Sequence, residues 1–351
     1  MTFSIGAHTI GPGNPVFFIA EAGVNHNGST ELACQLIDAA AAANADAVKF
    51  QSFRAENIIT RNAPKSTYHV QTTGSSEEET WYDMLKRQEM SREMHEELVE
   101  HCKRRNIIFS STPYDLESLE LLVELEADFI KIASTDTSNL PFLERVGASG
   151  LPVVLSSAMA TMEEVSDAVA TVRAAGNERV AVLQCTGNYP ARVEDSNLNV
   201  MSTYRDTFGC PVGYSDHTHG ITNPIAATAL GANLYEKHFT LDRGLPGPDH
   251  RMSMEPEELV QTVTAIRETE AALGSFEKRV LKDEEENRMK LRKSVVALVD
   301  IAEGQIIEAD MVAIKRPATG IPPKQLHNII GKRAMKAIPA DGPVFEGSVE
   351  V

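Results

Sequence analysis

Hydrophobic and polar positions alternate along the chain in blocks. Short runs rich in Val, Ile and Phe recur at Val16–Ala22, Ala47–Phe53, Ile107–Thr112, Phe129–Ser134, Val153–Ser157, Val180–Thr186, Val212–Ser215 and Leu234–Phe239. Between them lie longer Ala-, Leu- and Glu-rich segments with helical start signals. Ser29–Asn44 opens on a Ser-Thr cap, Asp115–Glu126 has one apolar face, Thr161–Ala175 begins with a Thr-x-x-Glu capping box, and Glu255–Leu273 carries Pro256 in its first turn. Strands that alternate with helices pair in parallel through crossovers, and eight such units predict a (β/α)₈ barrel, the TIM architecture of the α/β class. A doubly wound open sheet is the alternative. It is disfavoured because no Gly-rich dinucleotide turn follows the first strand.

Two regions break the rhythm. Arg54–Gln88 is polar, contains Tyr68, Trp81 and Tyr82, and is too long for an ordinary βα connection, which predicts a functional lid. After Gly274 the chain becomes densely charged and then rich in Val, Ile, Gly and Pro. The expected division is a barrel over 1–276, a charged linker over 277–292 and a small β-rich domain over 293–351. Short strands are expected there at Ser294–Val299, Ile306–Ile307, Val312–Lys315 and Arg333–Ile338. A module of about 60 residues is marginal alone and should pack on something.

The net charge of −17 makes nucleic acid and anionic membranes poor partners. No apolar stretch is long enough to span a membrane, and Met1–Ile10 lacks a basic segment followed by an apolar run, so a cytoplasmic protein is expected. Cys34, Cys102, Cys185 and Cys210 are scattered, as befits reduced thiols rather than a disulfide scaffold or thiolate zinc site.

Barrel chemistry sits at the C-terminal strand ends. Those ends carry Glu21 and Asn25-His-Asn-Gly28, then Lys49 and Gln51, then Ser110, Ser111 and Thr112. Next come Lys131, Ser134 and Asp136, Ser156 and Ser157, and Thr186, Asn188 and Tyr189. The last two give Ser215, Asp216 and His217, and Glu236, Lys237 and His238. A single Ser or Thr there is most simply a cap or a turn. Two lysines and several hydroxyls at one mouth make an anion site, and phosphate is the usual guest. His217 and His238 close successive strands; they either share a divalent metal or are structural. His219 and His250 lie close in sequence as competing candidates. Asp249 is a turn aspartate or a substrate-facing carboxylate.

Phe18-Ile-Ala-Glu-Ala-Gly-Val-Asn-His-Asn-Gly28, Asp46-Ala-Val-Lys-Phe-Gln51, Ser134, Ser215-Asp-His217, Glu236-Lys-His-Phe-Thr240 and Pro246-Gly-Pro-Asp249 together resemble the sialic acid synthases. Gly304 and Lys315-Arg-Pro317 resemble that family's antifreeze-like (SAF) domain. The resemblance implies condensation of phosphoenolpyruvate with an open-chain N-acetylhexosamine, with release of phosphate. It implies a divalent metal on His217 and His238, most often Mn²⁺, with Mg²⁺ or Co²⁺ as alternatives. Lys49, Thr112, Lys131, Ser134, Ser156 and Ser215 match the phosphoenolpyruvate contacts. Glu21, Gln51, Asp136 and Asp249 match proton-handling positions, and Gln51, Tyr189, Asp249 and Arg316 match the sugar side. Arg316 matches an arginine lent to a partner subunit's site, which implies a domain-swapped homodimer. Gly187, Asp136 and Lys237 depart from residues common in relatives, and the long loop resembles the sialic and legionaminic branch. Two other functions compete: a Schiff-base aldolase on Lys49 or Lys131, and a carbohydrate-binding protein without catalysis.

Overall fold

The computed structural model describes residues 1–75 and 79–350. Positions 76–78 of the expected lid and position 351 of the last domain lie outside the described residues. Backbone contacts divide the chain into two compact units, Met1–Gly274 and Ser275–Val351.

The first unit opens with a hairpin, β1 (Phe3–Ile5) and β2 (His8–Ile10), which the hydrophobic pattern did not predict because its strands are three residues each. The expected apolar runs follow as β3 (Phe17–Gly23), β4 (Ala47–Ser52), β5 (Ile108–Pro113), β6 (Ile130–Ile132), β7 (Val153–Ser156), β8 (Val180–Cys185), β9 (Val212–Asp216) and β10 (Leu234–His238). They form one closed barrel in chain order, with β10 returning to β3. Every barrel pair is parallel.

Sequence caps set the helices. Ser29 accepts from Leu32 N to start α1 (Thr30–Ala42). The expected lid is not one open loop but carries α2 (Ala55–Ile58), α3 (Thr67–Thr73) and α4 (Trp81–Lys86), before α5 (Arg92–Arg105). Asp115 caps α6 (Leu116–Glu124). After α7 (Leu140–Ala148), the Thr161–Glu164 capping box starts α8 (Met162–Ala174). Then come α9 (Val200–Phe208), α10 (Thr222–Ala229) and α11 (Pro256–Leu273).

Side chains of a strand alternate faces, and that period sorts the interior. One set of barrel residues, including Phe18, Ala20, Val48, Phe50, Ile130, Ile132, Leu155, Val182 and Tyr214, packs in a single cluster with α1, α5, α8 and α11. The other set faces inward. Its lower members, Phe17, Ile19, Ala47, Phe129, Val154, Ala181, Leu183 and Leu234, pack with Phe3, Ile5 and Ile10 of the hairpin, which plugs the barrel floor. Gly213 belongs to this layer by parity. A Cβ there would lie 2.0 Å from the Leu234 carbonyl oxygen and 2.8 Å from Leu183 Cδ2, so only glycine lets β9 and β10 approach.

The second unit contains an expected antiparallel pair, β11 (Ser294–Ala297) with β12 (Val312–Lys315). The runs at Ile306–Ile307 and Arg333–Ile338 form isolated bridges rather than strands, Ile306–Arg333, Ile301–Ile338 and Ala334–Val349. Its core gathers Val295, Ala297, Ile301, Ile307, Val312, Ile321, Ile338 and Val344. The stretch expected as a linker carries a short helix, α12 (Glu285–Leu291). No helix among the described residues is long and apolar enough to cross a membrane.

Candidate active site

Above the apolar floor the inward face of the same strands turns polar. Glu21 follows Phe17 and Ile19 at two-residue spacing; Lys49 follows Ala47, Lys131 follows Phe129, Ser156 follows Val154, and Glu236 follows Leu234. All five are buried. Lys49 Nζ lies 2.5 Å from Glu21 Oε2 and donates to Thr112 Oγ1 at 2.9 Å. Lys131 Nζ donates to Ser156 Oγ at 2.7 Å and to the Ile132 carbonyl at 2.9 Å. Glu236 stands between the two ammonium groups, 3.9 Å from Lys49 and 3.6 Å from Lys131, and accepts from Ser215 Oγ at 2.9 Å. Gln51 Nε2 donates to Glu21 Oε1 at 3.2 Å.

Two carboxylates and two ammoniums therefore share one desolvated layer, and their environments separate them. Burial pushes the Glu21 carboxyl up to about 7, against the pull of Lys49 and helped by the charge of Glu236. Burial acts on Glu236 as well, but Lys131 and then Lys49 outweigh it and hold its carboxyl below the ordinary value. Lys131 is held below the usual ammonium value by burial, with Glu236 opposing. One acid thus gains or loses a proton near neutrality while its neighbour stays charged, the separation that acid–base work requires.

At the rim, the His217 and His238 rings are 5.5 Å apart, and Asp249 Oδ2 lies 4.0 Å from His238 Nδ1. His217 Nδ1 meets the Thr186 carbonyl at 2.7 Å. A carbonyl only accepts, so that bond places a proton on Nδ1 and turns Nε2 away from it, the usual outer support of a metal-bound imidazole. His238 Nδ1 is buried and has no hydrogen-bond partner among the described residues. Among the described residues no group of three or more His, Cys, Asp and Glu is assembled for an ion, so any shell built on these imidazoles is completed by other oxygens. Burial pushes the Asp249 carboxyl up to about 6, with His217 opposing. The Tyr189 ring covers His217 at 4.0 Å between centroids.

Residues 36–278 match the NeuB family, and residues 292–350 match the SAF domain. The chain belongs to the NeuB family. It is 43% identical over 330 residues to N,N'-diacetyllegionaminic acid synthase of Campylobacter jejuni, across 93% of this chain and 98% of that protein. It is 38% identical over 343 residues to N-acetylneuraminate-9-phosphate synthase of Mus musculus, across 97% and 94%. The crystal structure of the N-acetylneuraminic acid (sialic acid) synthetase of Leptospira borgpetersenii aligns with a TM-score of 0.71 at 35% identity, over 82% of this chain and 95% of that one. The family, the barrel and the SAF domain expected from the motifs are thus the ones found.

Within this NeuB-family barrel the other expected residues take varied places. Ser134 accepts from Ala158 N at 2.9 Å, bridging the turns after β6 and β7. Asp136 sits in a turn at the rim and accepts from Asn139 Nδ2 at 2.9 Å. Arg316 belongs to the second unit, exposed just after β12. The Asn25–Gly28 segment laces two loops together: Asn25 Nδ2 donates to the Phe239 carbonyl at 2.8 Å and to Ser253 Oγ at 3.0 Å. His250 is bound at 2.6 Å to Thr240 and at 3.3 Å to Asn27, and His219 is exposed, so neither stands with the His217–His238 pair. Asp216 and Lys237 face outward. They pair with each other, and Tyr235 donates to the same Asp216 oxygen at 2.6 Å.

Two site residues escaped the sequence reading, and a third, Glu236, is named at its strand end without a role. Glu236 is legible, since it shares inward parity with His238. Cys185 continues the inward series of Ala181 and Leu183, and its Sγ lies 3.9 Å from His217 Nδ1. Tyr114 has no local signal; burial and then the charges of Glu21, Asp136, Asp249 and Glu236 raise its phenol, which puts it among the acids of the mouth.

Proposed function

We propose that this NeuB-family chain is a nonulosonic acid synthase. It joins phosphoenolpyruvate to an open-chain N-acetylhexosamine, either N-acetylmannosamine or 2,4-diacetamido-2,4,6-trideoxymannose. C3 of phosphoenolpyruvate bonds to the aldehyde carbon, the oxygen of water adds at C2, and the C2–O bond to phosphate breaks. The observation that carries this reading is the pair of buried ammoniums, Lys49 and Lys131, flanking Glu236 beside the hydroxyls of Thr112, Ser156 and Ser215. In a chain of net charge −17, such a local cluster is what draws a small polyanion. An incoming carboxylate and phosphate bring acceptors to the two lysine ammoniums, which Glu236 approaches no nearer than 3.6 Å, and Ser134 adds a hydroxyl. Glu21, at about 7, holds and returns a proton at neutral pH. Gln51, Tyr189 and Asp249 face the sugar, and Asp136 serves the rim.

The histidine pair fits a divalent ion through His217 Nε2 and through His238 Nδ1, which has no hydrogen-bond partner among the described residues. Mn²⁺ is the first choice, with Mg²⁺ and Co²⁺ as alternatives. When bound, the ion supplies Lewis-acid polarisation of the aldehyde oxygen. The working unit of this reading is a swapped homodimer in which Arg316 meets the N-acyl group in the partner's site.

Purified protein should release phosphate only when phosphoenolpyruvate, a hexosamine and a divalent metal are all present. Phosphate released without the hexosamine would overturn the condensation; undiminished turnover after chelation would overturn the metal. The lowered ammonium value of Lys131 also suits a Schiff-base aldolase. Borohydride with pyruvate should leave the mass unchanged, because the Lys131 amine is already bonded to Ser156 and Ile132. An adduct on Lys131 would replace the first reading. Co-expressed Arg316→Ala and Lys131→Met chains should regain activity that neither has alone; no regain would remove the shared site.

A further inference from the structure

Each of the two rim imidazoles is preceded by a buried charge. Asp216 comes just before His217 and Lys237 just before His238, and the two are register partners on β9 and β10. Lys237 Nζ donates to Asp216 Oδ2 and to the Thr218 carbonyl. One ammonium on the strand of His238 therefore holds the residues on both sides of His217. Asp216 completes the clamp. Its Oδ1 accepts from Thr218 N at 2.9 Å and from Thr218 Oγ1 at 2.7 Å, which closes a turn over His217. Its Oδ2 also accepts from Tyr235 Oη at 2.6 Å. Asn223 Nδ2 ties Thr218 Oγ1, at 3.1 Å, to Ser196 Oγ, at 2.7 Å. Two buried charges are an expensive way to join two strands, since apolar residues of similar volume often serve stability as well or better. Elsewhere the same outward layer is packed by Phe18, Val48, Ile130, Leu155 and Val182. What a satisfied polar network adds over apolar packing is one defined register and one backbone path.

We propose that Asp216 and Lys237 are positioning residues for the histidine pair, fixing the separation at which both imidazoles reach one divalent ion. Both face away from the mouth, and each acts through the histidine that follows it. The 5.5 Å between the two rings is set at their backbones by this clamp, and at the His217 ring by the Thr186 carbonyl. Imidazoles held in place beforehand lose little freedom when an ion arrives, whereas loose ones must be ordered at that moment. With only two imidazoles at the site, that difference bears directly on affinity. The inference rests on the metal reading proposed above and adds the residues that hold its ligands in place.

The test measures Mn²⁺ binding to the full chain at equilibrium, without substrate or turnover, from the loss of the free-ion EPR signal. The double variant Asp216→Asn/Lys237→Met removes both charges at nearly constant volume, so neither is left buried and unpaired. Its Mn²⁺ dissociation constant should rise on the order of 10- to 100-fold, the range for groups that orient metal ligands. Tyr235→Phe cuts one bond of the clamp without removing a charge, and should raise the constant less, in the same direction. Lys237→Arg keeps a cation with donors for both acceptors and should stay closer to the wild type than the double variant does. Phe129→Ala, which loosens the barrel floor, should bind Mn²⁺ as the wild type does. Wild-type affinity in both the double variant and Tyr235→Phe would overturn the positioning role. So would an equal loss in Phe129→Ala, because affinity would then follow stability rather than the clamp. A wild type that binds no Mn²⁺, or a His217→Ala variant that binds it equally well, would overturn the metal reading itself and this inference with it.

Discussion

The barrel interior holds two layers made by the same strands at the same parity, and their chemistry is opposite. The lower layer, from Phe17 to Leu234, is apolar and sealed by the N-terminal hairpin. Two residues further along the same strands stand Glu21, Lys49, Lys131, Ser156 and Glu236. The lower layer pays for folding through apolar burial. The upper layer gives much of that back, because burying charges costs free energy that close pairing only partly offsets. Stability and chemistry are thus separated by about one side-chain layer along each strand, which makes the separation testable.

The largest expected effect lies in the upper layer. Lys131→Met should lower kcat/KM for phosphate release by about a thousand-fold, as loss of a preorganised charged donor does. The reverse case comes from the floor. Phe129→Ala should cost about 3–4 kcal/mol in urea unfolding, because Phe129 is fully buried against Phe17, while kcat of the folded enzyme stays within about three-fold. A thousand-fold activity loss in the floor variant would show that the layers are coupled. Next, Gly213→Ala should destabilise the barrel by about 2–3 kcal/mol through overpacking, since the added methyl meets backbone rather than a movable side chain.

The smallest effect sharpens the comparison through pH. Burial raises the Glu21 carboxyl from 4.5 to about 7 in the folded state. A raised folded value means that the folded state holds the proton more tightly. The Glu21 contribution is therefore fully present below about 4.5 and is lost as pH rises through 7. Asp249, raised to about 6, acts in the same sense, so the comparison must be made against a variant. Unfolding free energy measured from pH 4.5 to 7.5 should decline less steeply for Glu21→Gln than for the wild type. Parallel profiles would show that Glu21 titrates in the folded state as it does unfolded.

The outward neighbours of the site extend the contrast. Asp216 and Lys237 immediately precede His217 and His238, yet alternation turns them to the other face. There they pair with each other and with Tyr235, alongside Thr218 and Asn223. One residue of register separates a rim imidazole from a structural ion pair. That is also why Glu236 was open to sequence reasoning and Tyr114 was not. The first follows from counting by two along β10. The second requires knowing that the residue after β5 turns back toward four acids carried on β3, β10 and two loops.

The sequence by itself determined the eight strands, their order and the caps of α1 and α8, because period, turn residues and capping groups act over a few positions. Its motifs also marked the family and the SAF domain. Only the tertiary structure decided which polar residues meet. It set Glu236 between two lysines, put the Asn25–Gly28 segment to lacing loops, and removed His219 and His250 from the histidine pair. It also folded the long segment into helices that carry Tyr68 to Tyr189. These outcomes depend on barrel closure, which brings together residues some two hundred positions apart, and no local pattern encodes that distance.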